Sequence, residues 1–161
     1  MWLSTWKDLA TAGNHVPTHP WVLLALVSLS LLWGWPEMAL VLLLLWGALL
    51  RPEEGRSLHF YDLVFSDVIW APLSLLFLRI GTPKMRRLRA AREHARVDEP
   101  LTVNFARAQA SLHSPQELLF ADGPVLFRRR HDDLVQFFGI STRDGIGCTP
   151  ASHRPGRASM L

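Results

Sequence analysis

The feature that most constrains this chain is a pair of apolar runs in its first third, separated by a short break. Trp21–Trp33 and Met38–Leu50 are nearly all apolar, and Gly34-Trp35-Pro36-Glu37 divides them. A helix that crosses a membrane needs roughly 20 apolar residues, so neither run is long enough alone. One continuous span would place Pro36 and Glu37 inside the bilayer, where an unpaired glutamate is costly.

Two interpretations of these runs stay open. In the first, two buried helices are joined by a Gly-Trp-Pro turn and form the core of a domain. The alternative is a small integral membrane protein with one or two spans in residues 21–50 and a basic cytosolic tail. The excess of Lys and Arg after residue 50 agrees with the positive-inside rule, whereas Pro36 and Glu37 favour the buried helices.

Composition narrows the class of partner. The chain has 161 residues, enough for one domain, and is 49% hydrophobic. Lys7, Asp8 and Glu37 are the charged residues before Arg51, so the net positive charge of the chain comes from the part that follows the apolar runs. A sequence pI near 9.7 indicates an anionic partner, either nucleic acid or a lipid surface. The N-terminal segment MWLSTWKDLATAGNH lacks the basic start and apolar core of a secretory signal.

No signal for a metal or a cofactor is present. Cys148 is the single cysteine, which excludes an internal disulfide and a cysteine-cluster metal site and fits a reducing compartment. The seven histidines are scattered without zinc-ligand spacing, and we predict that most of them lie at the surface. The sequence therefore predicts no metal site and no cofactor.

We also predict that Arg128–Arg130 form a solvated helix face.

The order of elements predicts a mostly helical α+β domain. Residues 1–20 form an irregular lead-in, and residues 21–161 form the domain. Pro52, followed by two glutamates, predicts the start of a helix. Val68–Ile80 predicts a strand, Gly81-Thr82-Pro83 a turn, and the segment around His94–Asp98 a returning strand, which together make a hairpin. Further helices are predicted over Leu101–Leu112, over Pro124–Phe138 and from Thr149-Pro150 onward.

Three basic residues occur in a suggestive order. Arg51 ends an apolar helix in ALLRPEE, Lys84 follows a strand and turn in LRIGTPKMRR, and Arg154 lies at a helix start in TPASHRPGRASML. In this order the chain, from about Pro17 to its end, resembles the catalytic domain of the tyrosine recombinase (integrase) family of mobile elements. That family's first motif, Arg-x-x-Glu, is matched by Arg51 and Glu54. Its late motif, Thr-Pro-His-Ser-Leu-Arg-His, is similar to Thr149–Pro155.

The resemblance implies a recombinase-like core with a small antiparallel sheet, incomplete at the C-terminus, that breaks and rejoins DNA through a phosphotyrosine. Arg51 and Arg154 would bind the scissile phosphate, because paired guanidinium groups stabilise the charge of its transition state. Lys84 would protonate the leaving oxygen. The implied partner is duplex DNA, with self-association on it and a nuclear or other intracellular location. The residues implied in backbone contacts are Arg86, Arg87, Arg89 and Arg92.

Departures from the family pattern predict a truncated copy without catalytic activity. Ala151 stands where the late motif has its first histidine, and His153 lies at a different helix azimuth. The nucleophilic tyrosine is expected well beyond Arg154, where only Pro155–Leu161 follows, and Tyr61 is the one tyrosine of the sequence. A third interpretation is a DNA- or RNA-binding remnant that uses the hairpin at residues 74–98.

Overall fold

A computed structural model of the protein describes residues 16–66, 74–81, 93–143 and 147–158. The described chain is α+β and mostly helical, with one small antiparallel sheet, as the sequence predicts. Its helices are α1 (Pro20–Leu32), α2 (Pro36–Gly47), α3 (Pro52–Ser57), α4 (Pro100–Ala110), α5 (Gly123–Phe137) and α6 (His153–Ala158). Its strands are β1 (Leu63–Phe65), β2 (Leu76–Ile80) and β3 (Glu93–Val97), and short 3-10 turns cover Phe60–Asp62 and Pro150–Ser152.

Proline and a nearby capping group define where most of these helices begin. The first residue of each of α1, α2, α3 and α4 is a proline, whose fixed φ suits that position and whose missing N–H has no helical partner to lose. The Glu99 carboxylate accepts the backbone N–H groups of Leu101 and Thr102 at the start of α4. Such caps satisfy donors that the first turn leaves unpaired.

The two apolar runs form the helix pair that the first interpretation predicts. Gly34, with φ +73°, makes the turn between them, and the Trp35 N–H donates to the Ser30 carbonyl at 2.8 Å. Every residue of Met38–Trp46 is buried, because α2 packs against α1, α3, α4, α6 and β3. Within the described ranges, no helix combines the length and the apolar character needed to cross a membrane.

The sheet has the order β1-β2-β3 with both pairs antiparallel. Leu76, Leu78 and Ile80 face the core, in agreement with the alternation in the sequence. The strand predicted over Val68–Ile80 is too long at its start: Ser74 and Leu75 are not in a strand, and residues 67–73 lie outside the described residues. The Leu75 N–H donates to the Ser66 hydroxyl at 2.9 Å, so a side chain replaces a ladder partner there.

Helices α5 and α6 complete the domain. The predicted helix over Pro124–Phe138 is confirmed within one residue at each end, and α6 begins after Thr149-Pro150 as predicted. Helix α5 packs against α1 and α3, whereas α6 packs against α1 and α2. The Thr18 N–H donates to the Ser152 carbonyl at 3.1 Å and joins the lead-in to the start of α6.

Arg128–Arg130, predicted to form a solvated helix face, are all at least partly exposed, and Arg128 and Arg130 also form ion pairs. Nε of Arg128 donates to both carboxylate oxygens of Asp132, at 2.9 and 3.0 Å. Arg130 lies 3.1 Å from the Asp122 carboxylate, and its guanidinium lies over the Trp35 ring. Arg129 is exposed, and the side chains of Arg128 and Arg130 are 42% and 21% exposed.

Candidate functional site

Arg51 occupies the N-cap position of α3, shortly after α2 ends at Gly47. Its backbone N–H donates to Oε2 of Glu54 at 2.7 Å, and its Nη1 lies 3.7 Å from Oε1 of the same carboxylate. The acidic residue of the Arg-x-x-Glu motif therefore fixes the start of α3. One third of the Arg51 side chain is exposed.

Arg154 is the second residue of α6, and its side chain is exposed. Helix α6 packs on α2, and α3, which follows Arg51, packs on α2 as well. The two arginines thus border two different helices that both pack on α2, and each side chain is at least partly exposed.

Lys84 and the predicted DNA-contacting residues Arg86, Arg87, Arg89 and Arg92 lie outside the described residues. In the sequence they fall between β2, which ends at Ile80, and β3, which begins at Glu93. Residues 81–92 connect these two strands, and this basic connection carries five basic side chains and no acidic one.

Tyr61 lies in the 3-10 turn between α3 and β1. Its ring stacks on His59 with centroids 4.9 Å apart, and its N–H donates to the Pro115 carbonyl. The side chain is 48% exposed. These contacts hold Tyr61 beside His59 and Pro115.

A cleft of about 690 Å³ opens between the α1–α2 turn, the segment before α5, and α5 itself. Its charged lining is Glu37, Glu117, Asp122 and Arg130, and none of the predicted site residues borders it. The pKa of Glu117 lies below its ordinary value, because His113 and the Ser114 N–H both hydrogen-bond to the carboxylate.

The prediction that most histidines lie at the surface is wrong for His131 and His153, which are fully buried. His131 comes from the middle of α5 and His153 is the first residue of α6. Their Nε2 atoms are 3.0 Å apart, and the rings meet edge to face at 5.2 Å. Cys148 joins them: one ring nitrogen of each histidine and the Cys148 Sγ all lie within 4.8 Å of one another.

Burial controls the protonation of this buried His-Cys cluster, which consists of His131, Cys148 and His153. Desolvation lowers the pKa of His131 and lowers that of His153 well below the ordinary value. Desolvation raises the pKa of Cys148, against a smaller opposing effect of the Thr18 hydroxyl 3.5 Å from its Sγ. At neutral pH both imidazoles are therefore uncharged and the thiol is protonated.

A signal for one member of the cluster is present in the sequence. His131 follows Phe127 by four residues and precedes Leu134 by three, so it falls on the buried stripe of α5. No such signal predicts that His153 contacts His131. The two histidines are 22 positions apart, on helices whose packing the sequence does not specify.

Comparison with known proteins identifies no relative. No protein-family model, no curated protein and no solved structure matches the chain. The resemblance to tyrosine recombinases therefore depends on the motifs around Arg51, Lys84 and Arg154 alone.

Proposed function

We propose that this chain binds duplex DNA through phosphate contacts on a scaffold similar to a tyrosine recombinase catalytic core, and that it does not cleave DNA by itself. The observation that carries the proposal is the order of elements around three basic positions. Arg51 follows the central helix α2, a three-stranded antiparallel sheet comes next, Lys84 lies in the connection between β2 and β3, and Arg154 lies on α6.

The exposure of the two arginines supports phosphate binding. A guanidinium group presents a planar fork of donors that matches two phosphate oxygens. Arg154 is exposed on α6. Arg51 is half-buried, and its guanidinium lies near the Glu54 carboxylate. The Arg51 Nη1 and Glu54 Oε1 atoms are 3.7 Å apart, beyond hydrogen-bond distance, so a phosphate can bind the guanidinium while Glu54 keeps its bond to the Arg51 N–H.

The basic connection of residues 81–92 supports a backbone contact of low sequence specificity. Lys and Arg side chains that neutralise phosphates release condensed counterions, which makes the affinity strongly dependent on salt. Self-association on DNA and a nuclear or other intracellular location belong to the same proposal. Binding without cleavage is expected because Tyr61, stacked on His59, lies between α3 and β1 rather than beyond Arg154.

The test is a fluorescence-anisotropy titration of a labelled duplex over a range of salt concentrations. The wild-type chain is compared with Lys84→Gln, Arg154→Gln and Arg129→Gln, which all remove one positive charge. Arg129 is the control, because it is exposed on α5 and has no part in the motif. We expect Lys84→Gln and Arg154→Gln each to reduce the slope of log K against log salt by about 0.9, the value for one phosphate contact.

Two results would contradict the proposal. The first is an Arg129→Gln variant that loses as much affinity as Arg154→Gln, because binding would then follow net charge rather than this arrangement. The second is a covalent protein–DNA adduct formed by the wild-type chain with a nicked duplex, which would reject the expected absence of cleavage.

A further inference from the structure

We propose that His131, Cys148 and His153 form a binding site for a zinc-type transition-metal ion that holds α6 against α5. Imidazole nitrogen and thiolate sulfur are the ligands that such ions prefer. All three side chains are buried and converge from α5, from the segment before α6 and from the first turn of α6. The proposal is independent of DNA binding.

The spacing of the cluster is close to that of a coordinated ion. Two nitrogen ligands of a tetrahedral zinc ion lie about 3.3 Å apart, and a nitrogen and a sulfur ligand about 3.6 Å apart, given the usual bond lengths. The two Nε2 atoms are 3.0 Å apart, and no separation among the ligand atoms of the cluster exceeds 4.8 Å. Small rotamer adjustments would therefore place all three ligands around one ion.

The two buried histidines hydrogen-bond to each other but leave their other ring nitrogens unpaired. A neutral imidazole has one N–H, so contact between the two Nε2 atoms makes one ring the donor and the other the acceptor. This leaves one Nδ1 as an unpaired donor and the other as an unpaired acceptor, and both Nδ1 atoms are buried without a hydrogen-bond partner. If both Nε2 atoms coordinate an ion, both Nδ1 atoms carry the N–H, and that of His131 then lies 3.7 Å from Oδ1 of Asp132.

A neighbouring carboxylate is placed to support the site. Asp132 has its Oδ1 3.7 Å from Nδ1 of His131 and is held by Arg128. A carboxylate beside the second nitrogen of a metal-binding histidine commonly orients the ring and strengthens its binding.

The simpler alternative is a neutral histidine pair that only fills the core. It accounts for the 3.0 Å contact between the two Nε2 atoms. It gives no role to the thiol, whose Sγ lies 3.5 Å from the Thr18 hydroxyl. The two explanations differ in one measurable property, the presence of sulfur–metal bonding in the folded chain.

The experiment is a titration of the full chain, with any affinity tag removed and metal stripped by chelation, with Co²⁺ as a spectroscopic probe and then with Zn²⁺. We expect one equivalent of Co²⁺ to give a thiolate-to-cobalt charge-transfer band, and Zn²⁺ to displace it. In Cys148→Ala the charge-transfer band is expected to be lost, whereas His113→Gln, at a half-buried position away from the cluster, should leave the titration unchanged. Circular dichroism establishes that each variant is folded.

Asp132→Asn tests the supporting carboxylate, and we expect it to weaken Zn²⁺ binding by about 10- to 100-fold. If Cys148→Ala fails to fold, the wild-type titration decides alone. The proposal is overturned if the folded wild-type chain shows no thiolate-to-cobalt band at one equivalent. It is also overturned if folded Cys148→Ala binds Co²⁺ with an unchanged spectrum.

Discussion

Glu117 shows how exposed hydrogen bonds adjust the pKa of an acidic group. The His113 ring and the Glu117 carboxylate are 2.8 Å apart, and the Ser114 N–H reaches the same carboxylate at 3.0 Å. These contacts favour the ionised form and lower the pKa of Glu117. The group therefore stabilises the folded chain above its unfolded pKa, and that contribution is lost as the pH falls through its folded pKa.

In His113→Ala we expect the pKa of Glu117 to rise toward the ordinary glutamate value, because the larger of the two lowering contacts is removed. The measurement is an NMR titration of the side-chain carboxyl of Glu117 in both proteins. His94→Ala, a change at an exposed strand position, is the control. An unchanged Glu117 titration in His113→Ala would show that the hydrogen bond does not form in solution.

The structural roles of single residues could be predicted from the sequence to different degrees. The role of Glu54 could be inferred from sequence, because an acidic residue in the first turn of a helix that begins with proline is a local signal. The burial of His131 was available from its spacing on α5. The partnership of His131 with His153 and Cys148 was not, since it depends on contacts between segments that no local pattern connects.

At the scale of elements, the crossing of α3 over α2 depends on a residue without a side chain. Gly55 is buried, and a Cβ built on it would lie 2.8 Å from Cδ2 of Leu45 and 3.4 Å from Cγ1 of Val41. Both neighbours are fully buried in the core, so they have little room to move. Glycine here sets the distance between the two helices.

We expect Gly55→Ala to lower the free energy of unfolding by about 1–3 kcal/mol, the usual effect of overpacking, despite the better helix propensity of alanine. The measurement is urea denaturation followed by circular dichroism. Gly81→Ala is the matched control, because a Cβ at Gly81 meets nothing within 4 Å. Equal stabilities for the two variants would mean that α3 lies farther from α2 than the structure shows.

The elements themselves were largely predictable, because prolines and glycines mark their ends. The helix pair, the hairpin of β2 with β3, and the starts of α3, α5 and α6 all follow from such signals. The strand over Val68–Ile80 was predicted too long, because an apolar run carries no information about where its ladder partner ends. Strand β1 has only three residues; just beyond it, the Ser66 N–H donates to the Leu75 carbonyl, and the Leu75 N–H donates to the Ser66 hydroxyl.

At the scale of the whole molecule, α2 unites the domain. It contacts α1, its partner in the helix pair, and also α3, α4, α6 and the strand β3. An element that is buried on every side cannot remain folded when its neighbours separate, since its apolar surface would then meet water. The described helices and sheet are therefore expected to unfold together.

The expected result is a single transition in guanidinium chloride, with far-UV circular dichroism and tryptophan fluorescence giving the same midpoint. Circular dichroism reports mainly on the helices. Fluorescence reports on side chains such as Trp33 and Trp35 at the α1–α2 turn and the buried Trp46. Midpoints that differ beyond experimental error would show that α2 does not couple the elements around it.

The all-round burial of α2 also has a consequence during synthesis. Its partners β3, α4 and α6 are translated after it, and the last of them ends only at Ala158. At a translation rate of about 5–20 residues per second, the finished α1–α2 pair waits on the order of ten seconds for its full covering. Throughout that interval the growing chain exposes an apolar helical hairpin to which a chaperone can bind. Crosslinking of stalled nascent chains would detect this chaperone contact.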